Sequence, residues 1–151
     1  MRSFSIMIII GTAFLVNALV CPAEAGKDRP SLEAVKQETR DLLEALKGYS
    51  AQQREEAVRQ ARAALDDLDR RIEDLETRIE KNREKMDRSA RQQARETLKS
   101  LRQQRVRLAE WYGSLKSSSG DAWGHMKEGF ADAYRDINDA WEKARKEYGA
   151  E

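Results

Sequence analysis

From Leu65 onward the chain places apolar side chains at alternating steps of three and four: Leu65, Leu68, Ile72, Leu75 and Ile79, then Asn82 and Met86. That is the seven-residue pattern of a coiled-coil seam. The phase fails after Met86, because Ser89 and Gln93 stand where apolar residues are due. A second series begins further on: Ala94, Leu98, Leu101, Arg105, Leu108, Tyr112 and Leu115. Reaching it from Met86 through Ala90 takes two successive steps of four, a phase slip. Upstream, Leu32, Val35, Leu42, Leu46 and Tyr49 share one helical face, with Ser31 placed to cap its start and Gly48 its end. Ser50 and Gln53 form a capping-box pattern that restarts a helix, and a continuous helix through Gly48 is the alternative.

Charge bears on the meaning of the slip. Asp66, Asp67, Asp69, Glu73, Asp74 and Glu76 stand against only Arg70 and Arg71. Further on, Arg88, Arg91, Arg95, Lys99, Arg102, Arg105 and Arg107 stand against only Glu96. A turn near Asp87-Arg88-Ser89, with Ser89 and Gln92 as another capping-box pattern, would lay Glu73 near Arg102 and Asp69 near Arg105 or Arg107. The expected fold is therefore all-α, with an antiparallel coiled-coil helical hairpin followed by a C-terminal amphipathic helix. The alternative is long helices with a stutter, for which the lack of Gly and Pro across 51–112 argues.

Gly113 and then Ser117-Ser118-Ser119-Gly120 close this region with a loop signal, and Asp121 is placed to cap the last helix. That helix carries Trp123, Met126, Phe130, Tyr134, Ile137, Trp141, Ala144 and Tyr148 at steps of three or four, an unusually aromatic face. Asp121-Ala122-Trp123 recurs eleven residues later as Asp132-Ala133-Tyr134. The six residues Trp123, Met126, Phe130, Tyr134, Ile137 and Trp141 are the candidate interaction face. The competing expectation is that this face packs at home, against Trp111, Tyr112 and Leu115.

The N-terminus changes where the protein is expected to work. One charge at Arg2 precedes an apolar run from Ile6 to Val20, shorter than the roughly 20 apolar residues that span a bilayer. Ala23 and Ala25 then supply an A-x-A cleavage pattern, so residues 1–25 read as a signal peptide and the mature chain begins at Gly26 in the periplasm. The competing site is a lipidated Cys21, which wants a small residue where Val20 stands. Cleavage after Ala25 discards the only cysteine, and with it disulfides and thiol chemistry. The expected organisation is this leader, a charged helical region over 26–116, a linker over 117–120 and the aromatic helix over 121–149.

Candidate chemistry is sparse. Charged residues make up 36% of the 151-residue chain, yet the net charge is +1, and it stays there when the leader removes Arg2 and Glu24. That balance argues against a general nucleic-acid binder. His125 is the single histidine, with Asp121 and Glu128 as its nearest carboxylates, a poor metal set that reads as a surface side chain. Pairs such as Glu55-Glu56 point to different sides of a helix and read as solvated faces. No phosphate loop, nucleophile elbow or zinc pattern is present, so no cofactor, small-molecule substrate or catalytic residue is expected. The cations of 88–107 suit either the acidic stretch of the same chain or an anionic membrane surface.

Trp111, Leu115-Lys116, the serine-rich break, Ala122-Trp123, Lys127, Gly129-Phe130, Ala133, Ile137, Ala140-Trp141 and Ala144 together resemble the ending of small bacterial coiled-coil stress-response proteins. The resemblance covers the C-terminal third and implies a non-enzymatic helical protein linked to stress. Members of that family generally lack an export signal, so this chain departs from it at the N-terminus.

The leading expectation is a non-enzymatic exported coiled-coil protein with a structural or protein-interaction role, including self-association. A periplasmic chaperone or adaptor that grips unfolded proteins on the aromatic stripe is the second. A peripheral lipid-binding helix is the third, opposed by the acidic excess on the polar side of 121–149. Mass spectrometry of the chain exported by a bacterial host should find a species starting at Gly26; a diacylated species starting at Cys21, or an uncleaved chain, would overturn the leader assignment.

Overall fold

The computed structural model describes residues 31–149, and the predicted leader and Cys21 lie outside them. The described chain is all-α. Helix α1 spans Leu32–Gly48, α2 Arg54–Asn82, α3 Arg88–Ser117 and α4 Trp123–Tyr148, with single 3-10 turns at Ala51–Gln53 and Arg83–Lys85. Among the described residues no helix is long and apolar enough to cross a membrane.

Local signals account for most boundaries. The Ser31 hydroxyl accepts from the Ala34 N–H at 3.1 Å and starts α1. The helix stops at Gly48, where Tyr49 turns extended, and the Ser50 N–H donates to Gln53 Oε1 at 3.2 Å as the chain re-enters a helix. The carbonyls at the end of α1 are taken by α4. Lys127 Nζ donates to Lys47 O at 3.0 Å and Tyr49 O at 2.7 Å, and Trp123 Nε1 donates to Tyr49 O at 3.2 Å. A cation is well placed there, at the negative end of the α1 dipole.

Three expected boundaries differ. The helix does not run through the phase slip: Met86 and Asp87 are extended, and the cap of α3 is Asp87, whose carboxylate accepts from the Ala90 N–H at 2.7 Å, in place of the expected Ser89. Gly113 is inside α3, which continues to Ser117. Asp121 caps nothing, since α4 begins two residues later with Ala122 before it and no side-chain cap. The Ser117 hydroxyl instead donates back to Gly113 O at 3.0 Å and that of Ser118 to Leu115 O at 3.0 Å, so both serines are used in ending α3.

The core lies where α4 packs on α3, α1 and α2. Leu65, Leu68, Ile72, Leu75 and Ile79 from α2, and Ala94, Leu98, Leu101, Leu108 and Leu115 from α3, are buried along the two apolar series read from the sequence. Phe130, Tyr134, Ile137 and Trp141 of α4 complete this core with Val35 and Leu46 of α1. Gly129 allows α3 and α4 to come this close, because a Cβ there would run into the Trp111 ring.

Two helical glycines therefore differ in kind. A Cβ at Gly113 meets nothing, so Gly113→Ala should raise the unfolding free energy by about 0.5–1 kcal/mol through helix propensity. Gly129→Ala should forfeit that gain to overpacking against Trp111. Urea unfolding measures both, and equal stabilisation by the two would show that the contact is not tight.

Candidate interaction surface

The aromatic stripe is turned inward. Trp123, Phe130, Tyr134, Ile137 and Trp141 are buried, and Met126 is half-buried. Phe130 and Tyr134 stack with ring centroids 6.2 Å apart. The residues singled out as a face for partners are thus brought together, but as the inner wall of the bundle. To offer them to an unfolded protein or a lipid surface, α4 would have to leave α2 and α3.

Within this wall sits a polar cluster that the apolar pattern concealed. Arg71 is only 6% exposed. It pairs with Asp67 on its own helix and with Glu38 of α1 at 2.9 Å, and its Nη1 donates to Asn138 Oδ1 of α4 at 3.1 Å. Its backbone oxygen accepts from Trp141 Nε1 at 3.1 Å, and its guanidinium lies 5.7 Å from the Trp141 ring centroid. Asn138 Nδ2 donates to Tyr134 O at 2.7 Å. Burial pushes the Tyr134 hydroxyl pKa upward, against the pull of the nearby Arg71 charge. The sequence signal was a polar Asn138 on the aromatic face, one step of four after Tyr134 and three before Trp141.

His125 is exposed and meets Trp111 edge-on, with ring centroids 6.1 Å apart. Beside it a polar groove between α3 and α4 holds Arg107, Glu128, Asp132 and Asp136. Among the described residues no cluster of three or more His, Cys, Asp or Glu side chains is arranged to hold a metal ion.

The basic stretch is divided in its contacts. Arg105 forms a bidentate pair with Asp69, both distances 2.6 Å, and Arg102 pairs with Glu76 where Glu73 was expected. Arg91 Nε donates to the backbone oxygens of Arg83 and Met86, each at 3.0 Å. Among the described residues Arg88, Arg95, Lys99 and Arg107 make no ion pair.

Arg95 and Lys99 line an open groove between α2 and α3, a depression of about 480 Å³. Its apolar members are Ile79, Met86, Leu98 and Val106. Val106, 59% exposed, is the one exposed large apolar side chain among the described residues. Ser100, Gln104, Arg107 and Trp111 of α3 line the second groove, beside α4, and Gln103 lies at the edge of both. At roughly 100° per residue, Arg95, Lys99, Arg102 and Val106 are centred about 140° around α3 from Ser100, Gln104, Arg107 and Trp111. The α2/α3 pair thus has one side covered by α4 and another open to solvent.

No family model, curated protein or solved structure matches this chain.

The Arg71 cluster makes a definite prediction. Arg71→Ala strands the Asn138 carbonyl oxygen in the core and should cost about 3 kcal/mol, less than a fully buried pair would because Glu38 and Asp67 keep contact with water. Arg71→Met combined with Asn138→Leu should recover most of that loss, since apolar replacement of a whole buried polar set is often neutral. Urea unfolding of the three chains checks this, and a cost under about 1 kcal/mol for the single variant would refute the role given to Arg71.

Proposed function

We propose that this chain is a non-enzymatic exported helical protein that works through protein contacts, in which α2 and α3 form an antiparallel coiled-coil hairpin braced by α1 and α4. The hairpin reading is supported by the order of the cross-helix contacts: Arg54 with the Ser118 carbonyl, Asp69 with Arg105, Glu76 with Arg102. Rising positions on α2 meet falling positions on α3. The apolar series of both helices face one another along that line.

The observation that carries the functional reading is the division of the surface. The aromatic residues are used up in internal packing, while one long side of the α2/α3 pair stays open with Val106 and unpaired cations on it. A helical bundle with its aromatic residues packed inside and a distinct exposed flank suits a scaffold or adaptor, with self-association as one form of contact. The resemblance of the C-terminal third to bacterial stress-response proteins, taken with the leader expected over 1–25, suggests envelope stress as the setting.

Photo-crosslinking side chains introduced one at a time at Arg40, Arg62, Lys99, Val106, Asp136 and Lys143, in the organism that encodes the chain, test this reading on all four helices. All but Val106 are charged side chains exposed to solvent. The expected result is a protein adduct at one or more positions, either to a second copy or to another protein. Adducts at none would overturn the protein-contact reading.

A further inference from the structure

The geometry points to the open α2/α3 groove as the seat of an acidic amphipathic helix supplied by a protein partner, an inference that rests on the protein-contact reading above and names its surface. The floor is apolar, formed by Ile79, Met86, Leu98 and Val106. Its rim is cationic. Glu76 and Glu80 are the acidic members, and each is already neutralised, by Arg102 and Arg83 respectively. Arg95 and Lys99 remain without an anion among the described residues, so the rim carries uncompensated positive charge beside an exposed valine.

Shape decides between an acidic helix and the other anionic amphiphiles that this chemistry would attract. The groove is open to solvent along one flank. An acyl chain laid in it would keep that flank of its own surface in water, forgoing burial that a closed pocket would supply. A flat membrane would not reach the floor between the two helices. An amphipathic helix matches on both counts: its apolar stripe fills the floor and its polar back faces water. Carboxylates flanking the stripe would face Arg95 and Lys99. The molecule already contains one such packing, since α4 seats its own apolar stripe on the other side of α2 and α3.

The partner must be a helix with net negative charge. Rim cations of this kind add mainly association rate and selectivity, and their effect is screened beyond about 8 Å at physiological salt. Binding should therefore weaken steadily as salt is raised.

The test uses the exported chain and a fluorescent peptide of about 18 residues, five helical turns, with leucines at steps of three and four and glutamates beside them. Fluorescence anisotropy should show saturable, salt-sensitive binding. Val106→Glu, and separately Arg95→Glu with Lys99→Glu, should each weaken it about tenfold or more. Lys143→Glu, on the exposed side of α4, should leave it unchanged, and circular dichroism should show all variants folded. No saturable binding, equal binding of a peptide with lysines replacing the glutamates, or indifference to the groove variants would each overturn the proposal. So would phosphatidylglycerol vesicles binding through the groove while the peptide does not. The crosslinking experiment separates the two levels: adducts at Asp136 or Lys143 but none at Lys99 or Val106 would sink the groove and leave the protein-contact reading standing.

Discussion

A guanidinium enclosed by three helices constrains everything else in this bundle. Arg71 reaches Glu38 on α1 and Asn138 on α4 while pairing with Asp67 on its own helix, so its two cross-helix partners are both met only when all three helices sit in one register. Apolar contacts between helices are forgiving about small slides. A buried cation is not, because losing a partner leaves polar atoms in a medium that cannot solvate them. The residual unpaired Nε of Arg71 marks the limit of this arrangement, a planar group with more donors than the surrounding helices supply.

Outside the core, charge acts in a weaker and more selective way. An exposed ion pair is worth roughly 0–1 kcal/mol, so Asp69–Arg105 and Glu76–Arg102 choose an alignment of α2 and α3 more than they hold it. The identity of the second pair results from helix geometry. Asp69 and Glu76 are seven residues apart and flank the seam from the same heptad position. Glu73 is four residues beyond Asp69, about 40° further from the seam, which leaves Glu76 as the acid that meets Arg102.

The periodicity of three and four predicted the buried faces of α1, α2, α3 and α4 because it records one physical fact, the side of a helix that avoids water. Ser31 and the Ser50–Gln53 pair were equally legible, since caps are local. Other features were not. Gly113 looks like a terminator in the sequence, yet a glycine in open space costs less than the packing that continues α3 through it. Asp87 displaced Ser89 as the cap of α3 because either residue can accept from the first free N–H groups, and the turn geometry chose between them. The Arg71 cluster needed three helices in place before its arginine could be counted as buried. The groove was hidden for a related reason: Val106 lies off the seam, and its significance depends on α4 taking the other side of α3.

Burial of the aromatic stripe also bears on how the protein can act. Trp123, Phe130, Tyr134 and Trp141 each contribute about 1.5–3 kcal/mol by leaving water. Exposing all four would forfeit an amount comparable with the whole stability of an ordinary domain, about 5–15 kcal/mol. Release of α4 would also break the Arg71–Asn138 and Trp141–Arg71 hydrogen bonds, and would uncover the end of α1 that Lys127 and Trp123 close. A mechanism that displays the stripe thus amounts to unfolding the bundle. Contacts made on the open side of α2 and α3 carry no such cost, because Arg95, Lys99 and Val106 reach solvent with the core intact. The brace and the exposed flank are in this sense two results of one packing choice, with α4 committed to one side of the pair and the other left open to solvent.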